Sequence, residues 1–267
     1  MGHACWNLQA QTLSERVMAI GGLGFRAISF CPTPLKMERG EEDGEVQRLV
    51  GLFDMRTTCH TKVGGTEDLA RLSQLQDEVS DIAKWHEATG RVDVVSFDAG
   101  TRPAPQGRVH DLEGTLQKIS YAMDILRPLG ISVAIENWLW NVRLEDLDEM
   151  ASALPGLQML LDVGHLLLAR SRGLLDGMPM DEYLGQIPMK VPELHLHDND
   201  GFIDAHAPLG TGILDLCELA RGLHAIRFAG IATIEHGGPL NQATLGQIAE
   251  SAGRFSESLL GSKGPKA

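Results

Sequence analysis

Residues 132–163 begin with SVAIEN (132–137) and end with LQMLLDV (157–163), two short apolar runs separated by a longer segment of helical spacing. Runs of this length bounded by turn residues suit buried strands. The same alternation extends in both directions through HACWNL (3–8), FRAISF (25–30), MRTTCH (55–60), VDVVSFD (92–98), PELHLHD (192–198) and GIATIEHG (230–237). In chain order these are eight expected strands, β1 to β8, with SVAIEN as β5 and LQMLLDV as β6. Between them, stretches such as 66–89, 111–126 and 214–226 repeat apolar residues at three and four, the period of an amphipathic helix. Thr66 and Asp111 are expected to open helices, and Gly90 and Gly130 to end them.

Strict strand and helix alternation implies a parallel sheet with crossover helices, and eight repeats is the number that closes a (β/α)8 TIM barrel. The 267 residues fit that fold as an α/β single domain over 1–260, leaving GSKGPKA (261–267) as a flexible C-terminal tail. A doubly wound open sheet competes, but no G-x-G-x-x-G follows the first strand, and GGLG (21–24) falls before a strand as a helix end.

The charge count, 23 Lys+Arg against 36 Asp+Glu, leaves −13. An acidic surface repels phosphate backbones and anionic lipid, so neither nucleic acid nor a membrane is expected as a partner. The longest apolar candidate, LQMLLDVGHLLLA, is broken by Asp162 and His165. The first twenty residues show no basic start followed by an apolar stretch, so a cytoplasmic location is expected. Cys5, Cys31, Cys59 and Cys217 contain no C-x-x-C pair and are expected to be small buried hydrophobes.

Strand parity then selects the polar residues. In SVAIEN, Ala134 and Glu136 share one face while Val133 and Ile135 share the other. If the aliphatic face meets the helices, Glu136 points into the barrel at the carboxyl end of its strand, where barrel enzymes place their chemistry. The same argument turns Asp162, His195, His197 and Glu235 inward. Converging carboxylates repel one another, and a divalent cation resolves the conflict. Two Glu, one Asp and one His form a mixed oxygen and nitrogen set suited to one divalent metal ion, Mn²⁺ or Zn²⁺ first, with Mg²⁺ or Co²⁺ allowed. His60, Asp98, His165, Asp204 and His206 lie at neighbouring strand ends or loops, as further ligands, substrate contacts or orienting partners.

IENW (135–138), LDVGH (161–165), HLHD (195–198), DAHAPLGTG (204–212) and TIEHG (233–237) together resemble the xylose isomerase-like TIM barrel superfamily. It holds sugar isomerases and epimerases, inosose-processing enzymes and the endonuclease IV type of repair nuclease. The resemblance implies metal ligation by Glu136, Asp162, His195 and Glu235, with Glu136 and Glu235 as the acid/base pair and His165 contacting the sugar. It also implies a three-zinc alternative from the nuclease branch, through His60, Glu136, Asp162, His165, His195, Asp204, His206 and Glu235. Asp98 stands where that branch has His, and His206 stands where many ketose epimerases have Arg.

The expected function is a metal-dependent isomerase or epimerase that moves a proton on a small ketose or inosose-like polyol through a metal-stabilised enediolate. The alternatives are an endonuclease IV-like nuclease and an inosose-type dehydratase using His165 or His206 as acid. Trp138 and Trp140 are placed either over the substrate or in the barrel rim. Arg102, Arg108, Arg170 and Arg172 are read as solvated loop charges. Homo-oligomerisation stays open.

Overall fold

The computed structural model describes residues 1–5, 8, 12–31, 42–61, 69–98, 112–138, 143–237 and 244–261. Eight parallel strands close on themselves in sequence order: β1 (Gly2–Ala4), β2 (Ala27–Phe30), β3 (Arg56–Thr61), β4 (Val92–Asp98), β5 (Ser132–Glu136), β6 (Gln158–Asp162), β7 (Glu193–Leu196) and β8 (Ile231–Ile234). Around them run α1 (Leu13–Gly22), α2 (Glu42–Leu52), α3 (Leu69–Thr89), α4 (Leu112–Leu126), α5 (Leu144–Ala153), α6 (Val163–Ser171), α7 (Met180–Gln186), α8 (Leu216–Ala225) and α9 (Leu245–Gly261). The barrel expected from the alternation is the fold found, and each expected strand overlaps an observed one. None of the described helices is long and apolar enough to cross a membrane.

The local differences have local causes. β1 starts at Gly2 because the ladder to β2 begins at Gly2↔Ala27 and the one closing the barrel at Gly2↔Thr233. It stops at Ala4, and Trp6 and Asn7 of HACWNL lie outside the described residues. β3 runs one residue past His60, since Thr61 still pairs with Phe97 and its hydroxyl donates to the Ser96 carbonyl at 3.1 Å. Gly90 (φ 64°) and Gly130 (φ 84°) do follow helix ends. Thr66, Asp111 and residues 262–267 lie outside the described residues.

Parity sorts the core as expected. Val133 and Ile135 belong to the large cluster between barrel and helices, where Phe30 meets Trp85 edge to face at 5.9 Å. Ala134 faces inward with Val94 and Leu160 in a small separate cluster. Adjacent strands are staggered: Glu136 pairs with Leu160, and Asp162, two residues farther along β6, pairs with His195. Strand tilt in a closed barrel produces this offset, so residues at unequal ladder positions reach one height at the mouth.

Cys5, Cys31 and Cys59 are buried as expected, whereas Cys217 is exposed in the first turn of α8. Arg170 is not a loop charge: it lies in α6 and pairs with Glu218 at 2.8 Å. Arg172 is the C-cap of the same helix. Arg102 and Arg108 lie outside the described residues.

Candidate metal centre at the barrel mouth

Among the described residues, the carboxyl ends of β3 to β8 and the loops after them gather the carboxylates of Asp98, Glu136, Asp162, Asp204 and Glu235 with the imidazoles of His60, His165, His195, His197 and His206. Glu136, Asp162, His195 and Glu235 are all buried. His195 is their common neighbour, its Nδ1 standing 2.8 Å from Glu235 Oε2, 3.6 Å from Glu136 Oε1 and 3.9 Å from Asp162 Oδ2. Burial works against the charged form of His195, but the charge of Glu235 and contacts to both glutamates hold its pKa well above the ordinary value. Burial also raises Glu136, while His195 and His206 overcome burial to hold Glu235 well below the usual carboxylate range.

A second set shares Glu136. His60 Nε2 lies 3.4 Å from Asp98 Oδ1 and 3.4 Å from Glu136 Oε2, with its Nδ1 2.9 Å from the Ser96 hydroxyl. Against burial, the charge of Glu136 and the bond to Asp98 push His60 up to about 9. Trp138 donates its indole N–H to Asp98 Oδ1 at 3.2 Å and lies on the His165 ring, centroids 4.3 Å apart. Trp138 therefore braces two site residues, and Trp140 lies outside the described residues.

The third set is His165, Asp204 and His206, with His197 beside them. His165 Nδ1 is 2.9 Å from the Asn137 carbonyl and His206 Nδ1 is 3.0 Å from the Glu235 carbonyl. A carbonyl only accepts, so each Nδ1 carries a proton, and in the neutral form of either ring the Nε2 lone pair turns inward. Both Nε2 atoms stand 3.3 Å from the same oxygen, Asp204 Oδ2. Two lone pairs facing a carboxylate repel it unless a proton or a cation lies between them. Against burial, the charge of Glu235 and the bond to Asp204 lift His206 to about 9.

The local chain builds each position. Asp162 is both a site carboxylate and the N-cap of α6, Oδ1 accepting the His165 amide at 2.6 Å. That cap places His165 in the helix's first turn and not in a loop. His197, directly after β7, donates through Nε2 to Asp162 Oδ2 at 3.1 Å and stacks on His206 at 3.9 Å and 4°. The ring fits there because residue 164 is glycine: a Cβ would stand 1.9 Å from His197 Cε1. His206 itself holds φ 45°, a left-handed conformation uncommon for a side-chain-bearing residue.

Three supporting residues were not singled out by sequence reasoning. Asn137 ties β5 to β6 through two hydrogen bonds with the Asp162 backbone. Asp198 accepts the amides of Asn199, Gly210, Gly212 and Leu214 and so shapes the loop carrying Asp204 and His206. Glu193 lies buried beneath His195. Their signals were present, since Asn137 and Asp198 directly follow IE and HLH, but polar residues beside a site are indistinguishable from loop starts until their partners are known.

Among the described residues, four groups of side chains bring ligand atoms within 4.8 Å of one another: His60, Asp98 and Glu136; Glu136, Asp162 and His195; Asp162, His197 and Glu235; and the His165, His197, Asp204 and His206 set. Mixed carboxylate and imidazole donors at this density fit divalent cations.

A curated relative, an uncharacterized protein of Methanocaldococcus jannaschii, is 26% identical over 134 residues, a match covering 47% of this chain and 43% of that protein. The solved structure of a D-tagatose 3-epimerase-like protein superposes with a TM-score of 0.76 at 18% identity, covering 98% of this chain and 97% of that one. That of the IOLI protein with a bound zinc atom gives 0.73 at 14% identity, covering 99% of each chain. At these identities the likeness establishes the fold. The family model for the xylose isomerase-like TIM barrel matches residues 19–257, and the chain belongs to that family.

Proposed function

We propose that the protein is a divalent-metal-dependent isomerase or epimerase acting on a small ketose or inosose-like polyol. The observation that carries this reading is the convergence of Glu136 and Glu235 on one imidazole nitrogen, His195 Nδ1, at 3.6 Å and 2.8 Å from strands three apart. Two carboxylates so placed flank whatever binds between them. Glu136, Asp162, His195 and Glu235 would hold a Mn²⁺ or Zn²⁺ ion, with Mg²⁺ or Co²⁺ also suited to the donors. A cation bound there supplies charge stabilisation for the substrate oxygens when a neighbouring proton leaves.

The chain's own groups do the rest. One glutamate takes the proton from the carbon beside the carbonyl, and the same or the opposite glutamate returns it, giving isomerisation or epimerisation. His165, backed by Trp138 and held by the Asn137 carbonyl, presents Nε2 to a substrate hydroxyl or to a second ion with Asp204 and His206. The epimerase and zinc-bound neighbours support this reading.

A second reading, endonuclease IV-like phosphoester hydrolysis, is favoured by one observation, the complete His165, Asp204 and His206 set beside the first. The −13 charge argues against it. Incubation of metal-loaded protein with a panel of ketoses and inososes in D₂O, followed by NMR, is expected to show deuterium at the carbon beside a carbonyl. Absence of exchange with every compound, together with cleavage of an abasic-site duplex, would replace the first reading by the second. A product lacking a hydroxyl would instead identify a dehydratase.

A further inference from the structure

Inside the barrel, one layer below the site, sits a carboxylate that the proposed reaction does not use. Glu193 is buried on β7, two residues before His195 and on the same inward face. Its Oε1 accepts the Thr58 hydroxyl at 2.8 Å and the Thr233 hydroxyl at 2.7 Å. Thr58 lies on β3, diametrically opposite β7 in an eight-strand barrel, so Glu193 spans the interior. Oε2 has no hydrogen-bond partner among the described residues. A buried carboxylate is costly unless compensated, and two hydroxyls on one oxygen compensate it only in part.

The compensation lies above it. His195 points Nδ1 at the site carboxylates and Nε2 at Glu193 Oε1, 3.7 Å away. A neutral imidazole has one N–H and one lone pair. For Nδ1 to offer its lone pair to a cation, the proton must be on Nε2, where Glu193 faces it as an acceptor. The two threonine hydroxyls can donate to Glu193 and hold its carboxylate in that orientation.

We infer that Glu193 is a positioning residue for the metal site, its carboxylate facing His195 Nε2 at 3.7 Å and favouring the proton on that nitrogen, so that Nδ1 is the ligating atom. The inference rests on the metal-dependent reading above. Thr58 and Thr233 hold Glu193, and Glu193 faces His195, a carboxylate and histidine arrangement that would orient the ring and make it a stronger donor to a bound cation.

The test uses the full chain stripped with chelator and titrated with Zn²⁺, alongside NMR of ¹⁵N-histidine-labelled protein. In the wild type, the His195 Nε2 proton is expected downfield and slow to exchange, with and without Zn²⁺. In Glu193→Gln it moves upfield, and the Zn²⁺ dissociation constant rises about 10–100-fold, the scale for losing such a partner. Glu193→Asp, which draws the carboxylate back while keeping its charge, is the second variant and should move the resonance in the same direction. A resonance unmoved in a folded variant overturns the inference whatever the affinity does. If wild-type protein takes up no divalent ion, the proposed function fails, while the Nε2 resonance still decides the role of Glu193.

Discussion

Asn137 and Asp162 are bound reciprocally across two strands: the Asn137 amide donates to the Asp162 carbonyl at 2.8 Å, and the Asp162 N–H donates to Asn137 Oδ1 at 2.7 Å. One side chain thereby sets the relative height of the β5 and β6 ends, and with it the spacing of Glu136 from Asp162. Its own carbonyl faces His165 Nδ1 at 2.9 Å, so the same residue also orients the third donor set. Asn137→Ala leaves two buried backbone groups unpaired, at a cost of about 2–4 kcal/mol. Thermal unfolding should fall by roughly 4–8 °C for a domain of this size, and an unchanged midpoint would show the latch to be dispensable.

Glu136→Gln and Glu235→Gln preserve side-chain shape at the mouth and leave the helix-facing core untouched. Circular dichroism should be unchanged while turnover drops by about 10²-fold or more, the scale of general acid/base catalysis. Activity within a few-fold of wild type in both variants would remove these residues from the mechanism.

Metal content separates the two readings of the site. Elemental analysis of purified protein is expected to give one tightly held divalent ion per chain, with a weaker second ion at saturating Zn²⁺. The combined change Asp204→Asn and His206→Asn should abolish the second and spare the first. Addition of Mn²⁺, Co²⁺ or Zn²⁺ should raise thermal stability by linkage. Three ions per chain would favour the nuclease-like arrangement, and none, with no thermal gain, would count against a metal centre.

Asp198 gathers four backbone amides from residues 199–214, Oδ2 taking those of Gly210 and Gly212 at 3.0 Å each. In Asp198→Asn one of its carboxylate positions becomes an NH₂ that meets N–H donors head on. Amide hydrogen exchange should accelerate across 199–214, and the loop should lose its hold on Asp204 and His206, lowering affinity for the second ion. Exchange unchanged from wild type would show that the loop is held by other contacts, such as the two Asp198 and Ala207 backbone bonds at 2.9 Å.

Acid sensitivity has a source apart from the carboxylates. Burial holds His3 down at about 3, and likewise His236. The folded values lie below the ordinary 6.5, so the neutral rings stabilise the fold fully above pH 6.5. As pH falls from 6.5 towards 3, the unfolded chain takes up protons that the folded chain excludes, and stability declines by up to about 1.4 kcal/mol per pH unit for each ring. Urea unfolding at pH 7, 5 and 4 should show this slope, and His3→Gln should reduce it by about one proton. An identical slope in the variant would place the acid loss elsewhere.

Two sources of order divide the protein. Strand count, strand placement, the inward faces of Glu136, Asp162, His195 and Glu235, and the acidic charge were legible in the chain, because strand parity and helical period are local properties that survive without knowledge of any partner. β4 was legible to the residue, since VDVVSFD is bounded on both sides, whereas β1 shifted because its ends are set by what β2 and β8 offer it. Convergence was a tertiary matter. Barrel tilt carries Glu136 and Asp162, two ladder steps apart, to one height, and the fold of the β7 loop delivers Asp204 and His206 to His165. Whether Asn137, Glu193 and Asp198 are loop polarity or scaffolding depends on backbone amides, hydroxyls and rings far away in sequence, and only the closed barrel brings those partners within hydrogen-bonding or ion-pairing range.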